Sequence, residues 1–403
     1  MKRRLNISII LSLIILIGVI TISANKTEKQ NNNITRNTTA TAKEEIKEKQ
    51  NEEMRGLWVS YLSLDMQGED KSFDAFKEKF EDIIDKAKEL KLNTLIVQVR
   101  PFCDALYDSK IFPYSHILSE AQGISPGYDA LKYMCNAAHE KNLKIQAWIN
   151  PLRVKNNFST FSLSESNPYV TNSEIGFETN SGIFLNPADI RARELIINGV
   201  KEIVMNYQID GIQFDDYFYP EDIIDEDKSY YDKYLQSINP SSTPLTMDEW
   251  RENNINLLIS ETYMAIKEIN KNVKFGISPQ GNISNNKNIY ADVKSWCEIE
   301  GYIDYICPQL YYSINNPTLS FEEALKDWKE IEFHSQIEVY IGLAAYKAGS
   351  DEDAGTWQTK DNNLKEELNL LRKYGFDGFI IYEYRSLKDH NTQKEIENLK
   401  IEI

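Results

Sequence analysis

The chain has 403 residues and a formal net charge of −17 at pH 7, with 45 Lys and Arg against 62 Asp and Glu. A negative field of this size repels phosphate, so neither nucleic acid nor an anionic membrane surface is expected as the main partner. The length suits one large barrel-sized domain, and the 23 tyrosines supply many side chains with an apolar face and a polar tip, as sugar-binding surfaces need.

Residues 1–24 predict an export segment. Basic residues at positions 2–4 precede an apolar run at 5–22, which is the layout of a secretory signal peptide or of an uncleaved membrane anchor. Ala24 is a candidate cleavage point, but Ile22 is larger than the residue usually found two positions before one, so both alternatives stay open. Either one predicts a protein that is secreted or held at the cell envelope, with the membrane a partner only if the segment is uncleaved.

Residues 25–53 predict a disordered linker. They are mostly Asn, Thr, Lys and Glu, with almost no large apolar side chain. Such a composition buries too little surface to offset the entropy of ordering the chain. The folded domain is therefore expected to span residues 54–403.

From residue 54 onward, strand-like runs alternate with helical patterns, as in a parallel sheet with crossover helices. The expected strands are 56–62, 94–100, 144–150, 211–215, 274–278, 305–311, 339–345 and 378–384. Helical periodicity marks the segments 73–90, 128–139, 190–205, 247–269 and 364–374. Eight such units, without the Gly-rich phosphate turn of an open nucleotide-binding sheet, predict an α/β fold of the (β/α)8 TIM-barrel type.

Polar side chains recur on one face, late in strand after strand. These are Gln98 and Arg100, then Gln146, Trp148 and Asn150, then Gln213 and Asp215, then Gln309 and Tyr311, and finally Glu383 on the face of Phe379 and Ile381. Because side chains two apart share a face of a strand, they are expected to converge at the C-terminal end of the barrel, where such folds build their sites. The alternative is a polar layer that only stabilises the barrel mouth.

The fourth predicted strand ends in two adjacent carboxylates, Asp215 and Asp216. An Asp in this position often only caps a turn. The chain has four histidines, none at a predicted strand end and none closely paired, and it has no Gly-x-Ser-x-Gly motif. No metal or cofactor is therefore predicted, and the acidic cluster at 221–227 lacks the spacing of a calcium loop. Two carboxylates across a cleft are the equipment of glycoside hydrolysis.

Long connections are predicted after the third and fourth strands, at 156–183 and 217–245. They combine Asn, Ser and Thr with aromatic residues, which suits a carbohydrate with apolar faces and hydroxyl edges. The alternative is that these aromatics only hold the loops in place.

Six ordered motifs give the chain a family resemblance. They are Arg55-Gly-Leu-Trp58, Gln98-Val-Arg-Pro101 with Asp104-Ala-Leu-Tyr107, Ala147-Trp-Ile-Asn-Pro151, Asp210-Gly-Ile-Gln-Phe-Asp-Asp-Tyr-Phe-Tyr-Pro220, Ser278-Pro-Gln-Gly281 and Cys307-Pro-Gln-Leu-Tyr311. The chain in this respect resembles the bacterial glycosyl-hydrolase-like family ten. That resemblance implies an exported bacterial TIM barrel that cleaves cell-envelope glycans such as peptidoglycan. It also maps the acidic pair of the family onto Asp215 and Asp216, and its late acidic position onto Glu383.

A wider comparison with chitinase-like barrels partly fails. Their fourth strand carries Asp-Gly-x-Asp-x-Asp-x-Glu, and this chain similarly begins Asp210-Gly211. Gln213 replaces the first inward Asp, and Tyr217 stands where the catalytic Glu is expected. The acetamido-assisted mechanism of those enzymes is therefore not transferred.

The sequence thus predicts a glycoside hydrolase that acts on cell-wall polysaccharide, with Asp215 as one catalytic carboxylate and Glu383 or Asp216 as the other. The substrate-binding candidates are Arg100, Asp104, Trp148, Asn150, Gln213, Tyr217, Gln280, Gln309 and Tyr311. The alternative from another class is a catalytically inactive glycan-binding protein that tethers the wall.

Overall fold

The computed structural model describes residues 52–403. The predicted export segment and residues 25–51 of the predicted linker lie outside the described residues. The strands are β1 Met54–Val59, β2 Thr94–Arg100, β3 Lys144–Ile149, β4 Arg153–Asn156, β5 Gly176–Thr179, β6 Gly182–Leu185, β7 Gly211–Phe214, β8 Lys274–Ile277, β9 Tyr305–Ile306, β10 Glu338–Ala344 and β11 Gly378–Tyr382.

Eight of these strands form a closed parallel barrel in the order β1-β11-β10-β9-β8-β7-β3-β2. Closure is made by β1, which pairs in parallel with both β2 and β11. Each of the eight strands predicted from the sequence is present, and several end earlier than expected. The (β/α)8 barrel is confirmed.

Helices surround the barrel, most of them on its outer face. They are α1 Phe73–Glu89, α2 Ala130–Glu140, α3 Pro168–Thr171, α4 Ile190–Asn206, α5 Lys228–Ser237, α6 Met247–Ile269, α7 Val293–Glu298, α8 Phe321–Lys329, α9 Glu352–Gly355, α10 Asn363–Lys373 and α11 Gln393–Glu402. Short 3-10 turns lie at 61–63, 173–175, 283–289, 345–347, 356–358, 384–388 and 390–392. The five helices expected from periodicity are all confirmed. Across residues 52–403, no helix combines the length and hydropathy required to span a bilayer.

Local sequence explains why these helices begin where they do. The hydroxyl of Ser72 accepts from the N–H of Ala75 at the start of α1. At the start of α6, Thr246 and Glu249 each bond the other's backbone N–H, which satisfies two donors that a helix leaves without partners. The buried side chains of α1 recur at three- and four-residue intervals: Phe76, Phe80, Ile83, Ile84 and Ala87.

The long connections predicted after the third and fourth strands have structure of their own. Strands β4, β5 and β6 form a small antiparallel sheet in the order β4-β6-β5, which follows β3 directly. The connection after β7 contains α5. Both lie at the C-terminal end of the barrel strands, so this end is walled by ordered segments.

The barrel interior is filled by large side chains that alternate along the strands with residues facing the helices. The inner cluster is Met54, Trp58, Ile96, Trp148, Tyr305, Cys307, Tyr340 and Ile380. Gly276 on β8 makes room for one of them, since a Cβ there would lie 2.2 to 2.4 Å from the ring of Tyr305. The sequence at this layer is therefore constrained by packing volume.

We expect Gly276→Ala to destabilise the fold, because the added methyl group overlaps the ring of Tyr305. Overpacking of this kind costs about 1–3 kcal/mol or more. Denaturant unfolding should show the loss, and the loss should shrink when Tyr305→Ala is combined with it, since the second change removes the ring. Additive effects of the two substitutions would contradict the overlap.

Candidate active site

Strand β7 fixes the orientation of two indole rings at the barrel mouth. Gln213, on its inner face, accepts a hydrogen bond of 2.6 Å from Nε1 of Trp58. Asp215, two residues later, accepts one of 2.8 Å through Oδ2 from Nε1 of Trp148. Indole donates only, so each acceptor determines where its ring lies. Gln213 near the end of β7 and Asp215 just after it thus hold Trp58 on β1 and Trp148 on β3.

A chain of amides orients the donor that faces Asp215. The backbone N–H of Tyr61 donates to Oε1 of Gln98 at 2.9 Å, and Nε2 of Gln98 donates to Oδ1 of Asn150 at 2.5 Å. Nδ2 of Asn150 then donates to Oδ2 of Asp215. Because a backbone N–H can only donate, it fixes the direction of both amides. Asn150 therefore presents its NH2 group, never its carbonyl, to the carboxyl group.

The two carboxyl groups have raised pKa values. Asp215 is 3% exposed, and this burial, with the neighbouring charge of Asp216, raises the pKa of Asp215 from 3.8 to about 7. Arg153 and the donors on Asp215 act in the opposite direction. Asp216 is half-buried and accepts a 3.1 Å hydrogen bond from Nε2 of Gln309. The loss of solvent around it raises its pKa as well, although the bond from Gln309 acts in the opposite direction. The pair is therefore expected to keep a proton close to neutral pH.

The hydrogen bonds indicate which oxygen of Asp215 carries that proton. Oδ2 accepts from both Trp148 and Asn150, so both of its lone pairs are used. Oδ1 accepts one bond, of 3.2 Å, from the backbone N–H of Tyr217. Its second lone pair is the available position for the proton. A protonated Asp215 thus has Oδ1–H as its only donor.

The carboxyl groups line a cavity of about 350 Å³ at the barrel mouth. Six aromatic side chains, Ser278 and Gln309 form the rest of its wall, and the aromatic residues are Trp58, Trp148, Tyr217, Tyr311, Tyr346 and Tyr382. The rings of Tyr311, Tyr346 and Tyr382 contact one another with centroid distances of 5.7 to 5.8 Å. Cavities of this size with few polar groups are typical of small-molecule sites. A sugar ring, apolar on its faces and polar at its edge, fits this lining.

Arg153, at the start of β4, supports one wall of the cavity and was not expected from the sequence. Its Nε donates to the carbonyl of Pro101 at 2.9 Å, and its guanidinium lies 4.7 Å from the ring centroid of Tyr217 and 5.1 Å from that of Phe102. The residue is 8% exposed. Arg153 lies three residues after Asn150 and beyond the end of β3. The alternation of side chains along β3 therefore could not predict where Arg153 points.

The structure brings half of the twelve predicted site residues to this cavity. Asp215, Asp216, Trp148, Tyr217, Gln309 and Tyr311 line it. Asn150 and Gln213 are buried behind it, 1% and 0% exposed, and contact Asp215 and Trp58 rather than the open space. Gln280 lines the neighbouring cavity instead.

The expectation that Arg100 shares the inner face with Gln98 is wrong. The pairing of β2 with β3 shifts between Gln98 and Arg100, and this bulge turns Arg100 to the outer face. There its guanidinium lies 4.6 Å from the ring centroid of Phe112, and a Cβ on Gly199 of α4 would come within 2.5 Å of Nη1. Arg100 is thus packed between the barrel and α4, away from the cavity.

Asp104 is also placed away from the cavity. Its side chain is fully buried in the connection after β2, where Oδ2 accepts from Nε2 of Gln122 at 3.0 Å and lies 3.6 Å from Nδ1 of His116. These contacts hold the connection together, so direct substrate contact by Asp104 is not supported.

Glu383 does not line the cavity either. Its carboxylate is 2% exposed, accepts from the backbone N–H of Ser60 at 3.4 Å and from Oγ of Ser63 at 3.2 Å, and pairs with Nε of Arg385 at 2.5 Å. The prediction took the face of Phe379 and Ile381 as the inner one, but both pack in the layer beneath the helices. The residues of β11 that face inward are Ile380 and Tyr382.

The sequence reasoning also missed four lining residues: Trp58, Ser278, Tyr346 and Tyr382. Two of them, Trp58 and Ser278, lie within the motifs that carry the family resemblance. Tyr382 would have been predicted if the inner face of β11 had been assigned to Ile380 and Tyr382, and not to Phe379 and Ile381. Tyr346 lies in a 3-10 turn after β10 and has no periodic signal.

Comparisons with known proteins agree with the family resemblance. The family model described as Glycosyl hydrolase-like 10 matches residues 53–358. Glycosyl hydrolase YngK of Bacillus subtilis (strain 168) is 32% identical over 348 residues, covering 79% of this chain and 67% of that protein. Glycosyl hydrolase DigH of Escherichia coli (strain K12) is 29% identical over 386 residues, covering 86% of each. The PgaB (BpsB) glycoside hydrolase domain from Bordetella bronchiseptica shares the fold with a TM-score of 0.57, at 12% identity over 87% of this chain and 98% of that one.

The raised pKa of Asp215 predicts a pH-dependent change in stability. A carboxyl group whose pKa is higher in the folded state stabilises the fold fully below pH 4, and this contribution is lost as the pH rises through about 7. Asn does not titrate, so the stability of Asp215→Asn relative to the parent chain should increase from pH 5 to pH 8, by up to about 3 kcal/mol. Urea unfolding at the two pH values measures the difference. A difference that does not change with pH would contradict the burial of a titrating Asp215.

Proposed function

The chain belongs to the glycosyl hydrolase-like 10 family and by that membership is a glycoside hydrolase, and we propose that it is an exported enzyme that cleaves cell-envelope glycan, specifically peptidoglycan strands. The observation that carries the proposal is the pair Asp215 and Asp216 opening into an aromatic-walled cavity. The pair supplies acid and base groups, and the walls suit a sugar ring.

We assign the general acid to Asp215. Its raised pKa keeps the carboxyl group protonated near neutral pH, and the bonds to Oδ2 leave the proton on Oδ1. As the bond between the anomeric carbon and the glycosidic oxygen breaks, Oδ1–H gives its proton to the departing oxygen. The resulting carboxylate is stabilised by Trp148, Asn150 and the N–H of Tyr217, all of which donate to it. The same three donors thus favour the charge that develops during the step.

We assign the second carboxylate role to Asp216. Nε2 of Gln309 donates to Oδ1 of Asp216 at 3.1 Å and to the carbonyl of Ser278 at 3.1 Å. The first bond lowers the pKa of Asp216, so the amide supports its ionised form. An ionised carboxylate beside the sugar either activates water or bonds to the anomeric carbon itself, which are the two forms of glycoside hydrolysis. In both forms it balances the positive charge that builds up on the sugar ring.

The substrate assignment rests on the chain's sequence and on the chemistry of the cavity. The basic residues at 2–4 and the apolar run at 5–22 support export to the envelope. Within the cavity, Gln309 and Ser278 offer hydrogen bonds beside Trp and Tyr rings. Amide and hydroxyl groups next to apolar rings suit acetamido sugars, which peptidoglycan strands consist of.

Asp215→Asn should reduce turnover of purified peptidoglycan by about 100- to 10,000-fold, because the amide cannot donate an acidic proton. Reducing-end release followed by mass spectrometry of the products measures the loss and identifies the bond, with intact and peptide-stripped strands compared. Glu383→Gln is the matched control, since it makes the same change of carboxyl to amide outside the cavity. Loss of turnover in Glu383→Gln but not in Asp215→Asn would overturn the assignment. If the parent chain binds peptidoglycan but releases no new reducing ends from it, the tethering alternative would be favoured.

Two substitutions should move the alkaline limb of the pH profile in opposite directions. Asp216→Asn removes the negative charge that raises the pKa of Asp215, so the residual activity should fall off at a lower pH. Arg153→Met removes a positive charge that lowers this pKa, so the limb should move to a higher pH. The pH dependence of kcat/KM on soluble glycan strands measures both. Limbs that move together, or not at all, would contradict Asp215 as the group that controls the limb.

A further inference from the structure

A second cavity of about 620 Å³ adjoins the first one. Both cavities are lined by Asp216 and Tyr217. The side chain of Tyr217 is 51% exposed and rests on Arg153, so it stands between the two spaces as a supported partition. A chain molecule with one unit in the first cavity would place its next unit in the second after crossing Asp216.

Hydrogen bonds preform the outer wall of this second cavity. The backbone N–H and Oγ of Ser181, at the turn between β5 and β6, donate to the carboxylate of Asp222 at 3.0 and 2.8 Å. Nδ2 of Asn157 donates to the carbonyl of Asn180 at 2.8 Å. The β5–β6 turn is therefore tied both to the connection after β7 and to the end of β4. A ligand does not have to order these segments, which lowers the cost of binding.

The lining combines amides with rings. Asn156, Asn157 and Gln280 lie beside Phe184 and Phe158, and Phe158 is 86% exposed. A phenylalanine this exposed at a cavity rim is an apolar surface without a partner in the described residues. Amides pair with acetamido and hydroxyl groups, and a ring packs on the face of a sugar.

The charges of the lining are mainly negative. Among its residues in the described part of the chain are three acids, Asp216, Glu221 and Asp222, and one cation, Arg153. The guanidinium of Arg153 contacts the carbonyl of Pro101 and the ring of Tyr217, so its one positive charge stands against three acidic groups. The cavity is thus expected to repel a carboxylate on a bound ligand.

We propose that the second cavity binds the sugar next to the one held between the two carboxyl groups, and that it selects an uncharged N-acetylhexosamine over a sugar that bears a free carboxylate. The proposal rests on the function proposed above, since it takes the first cavity to hold a sugar. In a polymer in which the two kinds of sugar alternate, this selection determines which kind of sugar occupies each cavity. Every second glycosidic bond is then presented to Asp215 and Asp216.

Binding of N-acetylglucosamine oligomers of one to five units to full-length Asp215→Asn, measured by isothermal titration calorimetry, tests the site without turnover. Affinity should rise by tenfold or more when the oligomer becomes long enough to enter the second cavity. Adding Phe158→Ala should remove about tenfold of that rise, because one stacking surface is lost. Adding Ile224→Ala instead is the matched control, since Ile224 is 72% exposed on the connection after β7 but does not line the cavity. Affinity that does not depend on length, or a rise that Phe158→Ala leaves intact, would overturn the proposal.

The charge selection has its own test. Peptide-stripped glycan oligomers, which carry free lactyl carboxylates, should bind Asp215→Asn more weakly than neutral oligomers of equal length, and adding Glu221→Gln should bring the two affinities about threefold closer. An unchanged ratio would overturn the selection. Because these are binding measurements, they stay informative if peptidoglycan yields no new ends, and that result would count against the proposed function alone.

Discussion

The hydrogen bonds accepted by Asp215 are the constraint on which the rest of the site depends. A carboxyl group that is 3% exposed needs donors, and three elements supply them: Trp148 on β3, Asn150 just after it, and the backbone of Tyr217. Asn150 is in turn oriented through Gln98, which lies on β2. One acid thus determines the orientation of side chains from adjacent strands of the barrel. The arrangement stabilises the charged form without fully offsetting burial, and a pKa near neutrality is the outcome.

Hydrogen-bond acceptors also hold the aromatic rings of the cavity wall in place. Gln213 holds Trp58 as Asp215 holds Trp148, so the two indole rings are positioned by acceptors at the C-terminal end of β7. Where chitinase-like barrels are expected to carry an inward Asp, this chain carries a neutral amide whose other end donates to the hydroxyl of Tyr305 at 3.1 Å. The amide can satisfy a donor and an acceptor together inside the barrel, which a carboxylate cannot. On the inner face of this segment, Asp215, just after β7, is thereby the one acid with a strongly raised pKa.

Tyr217 stands where chitinase-like barrels are expected to carry a Glu, and it lines both cavities. Its backbone N–H serves Asp215, and its ring, supported by Arg153, separates the two cavities. The acid and the partition are therefore coupled through one residue. Asp216 lines both cavities as well, so the second carboxyl group of the pair is shared between them.

The sequence by itself determined the barrel, its eight strands and the location of the acidic pair, because alternation along a strand and periodicity along a helix are local properties. It could not determine which face of β2 Arg100 occupies, since a bulge reverses parity without a sequence signal. The sequence prediction placed Glu383 in the site because it took the residues of β11 that face the helices as those that face the barrel interior. Arg153, Tyr346 and the partition formed by Tyr217 depend on how loops fold over the barrel mouth. Only the tertiary structure decides such contacts, since they join residues whose separation in the sequence contains no information about their distance in space.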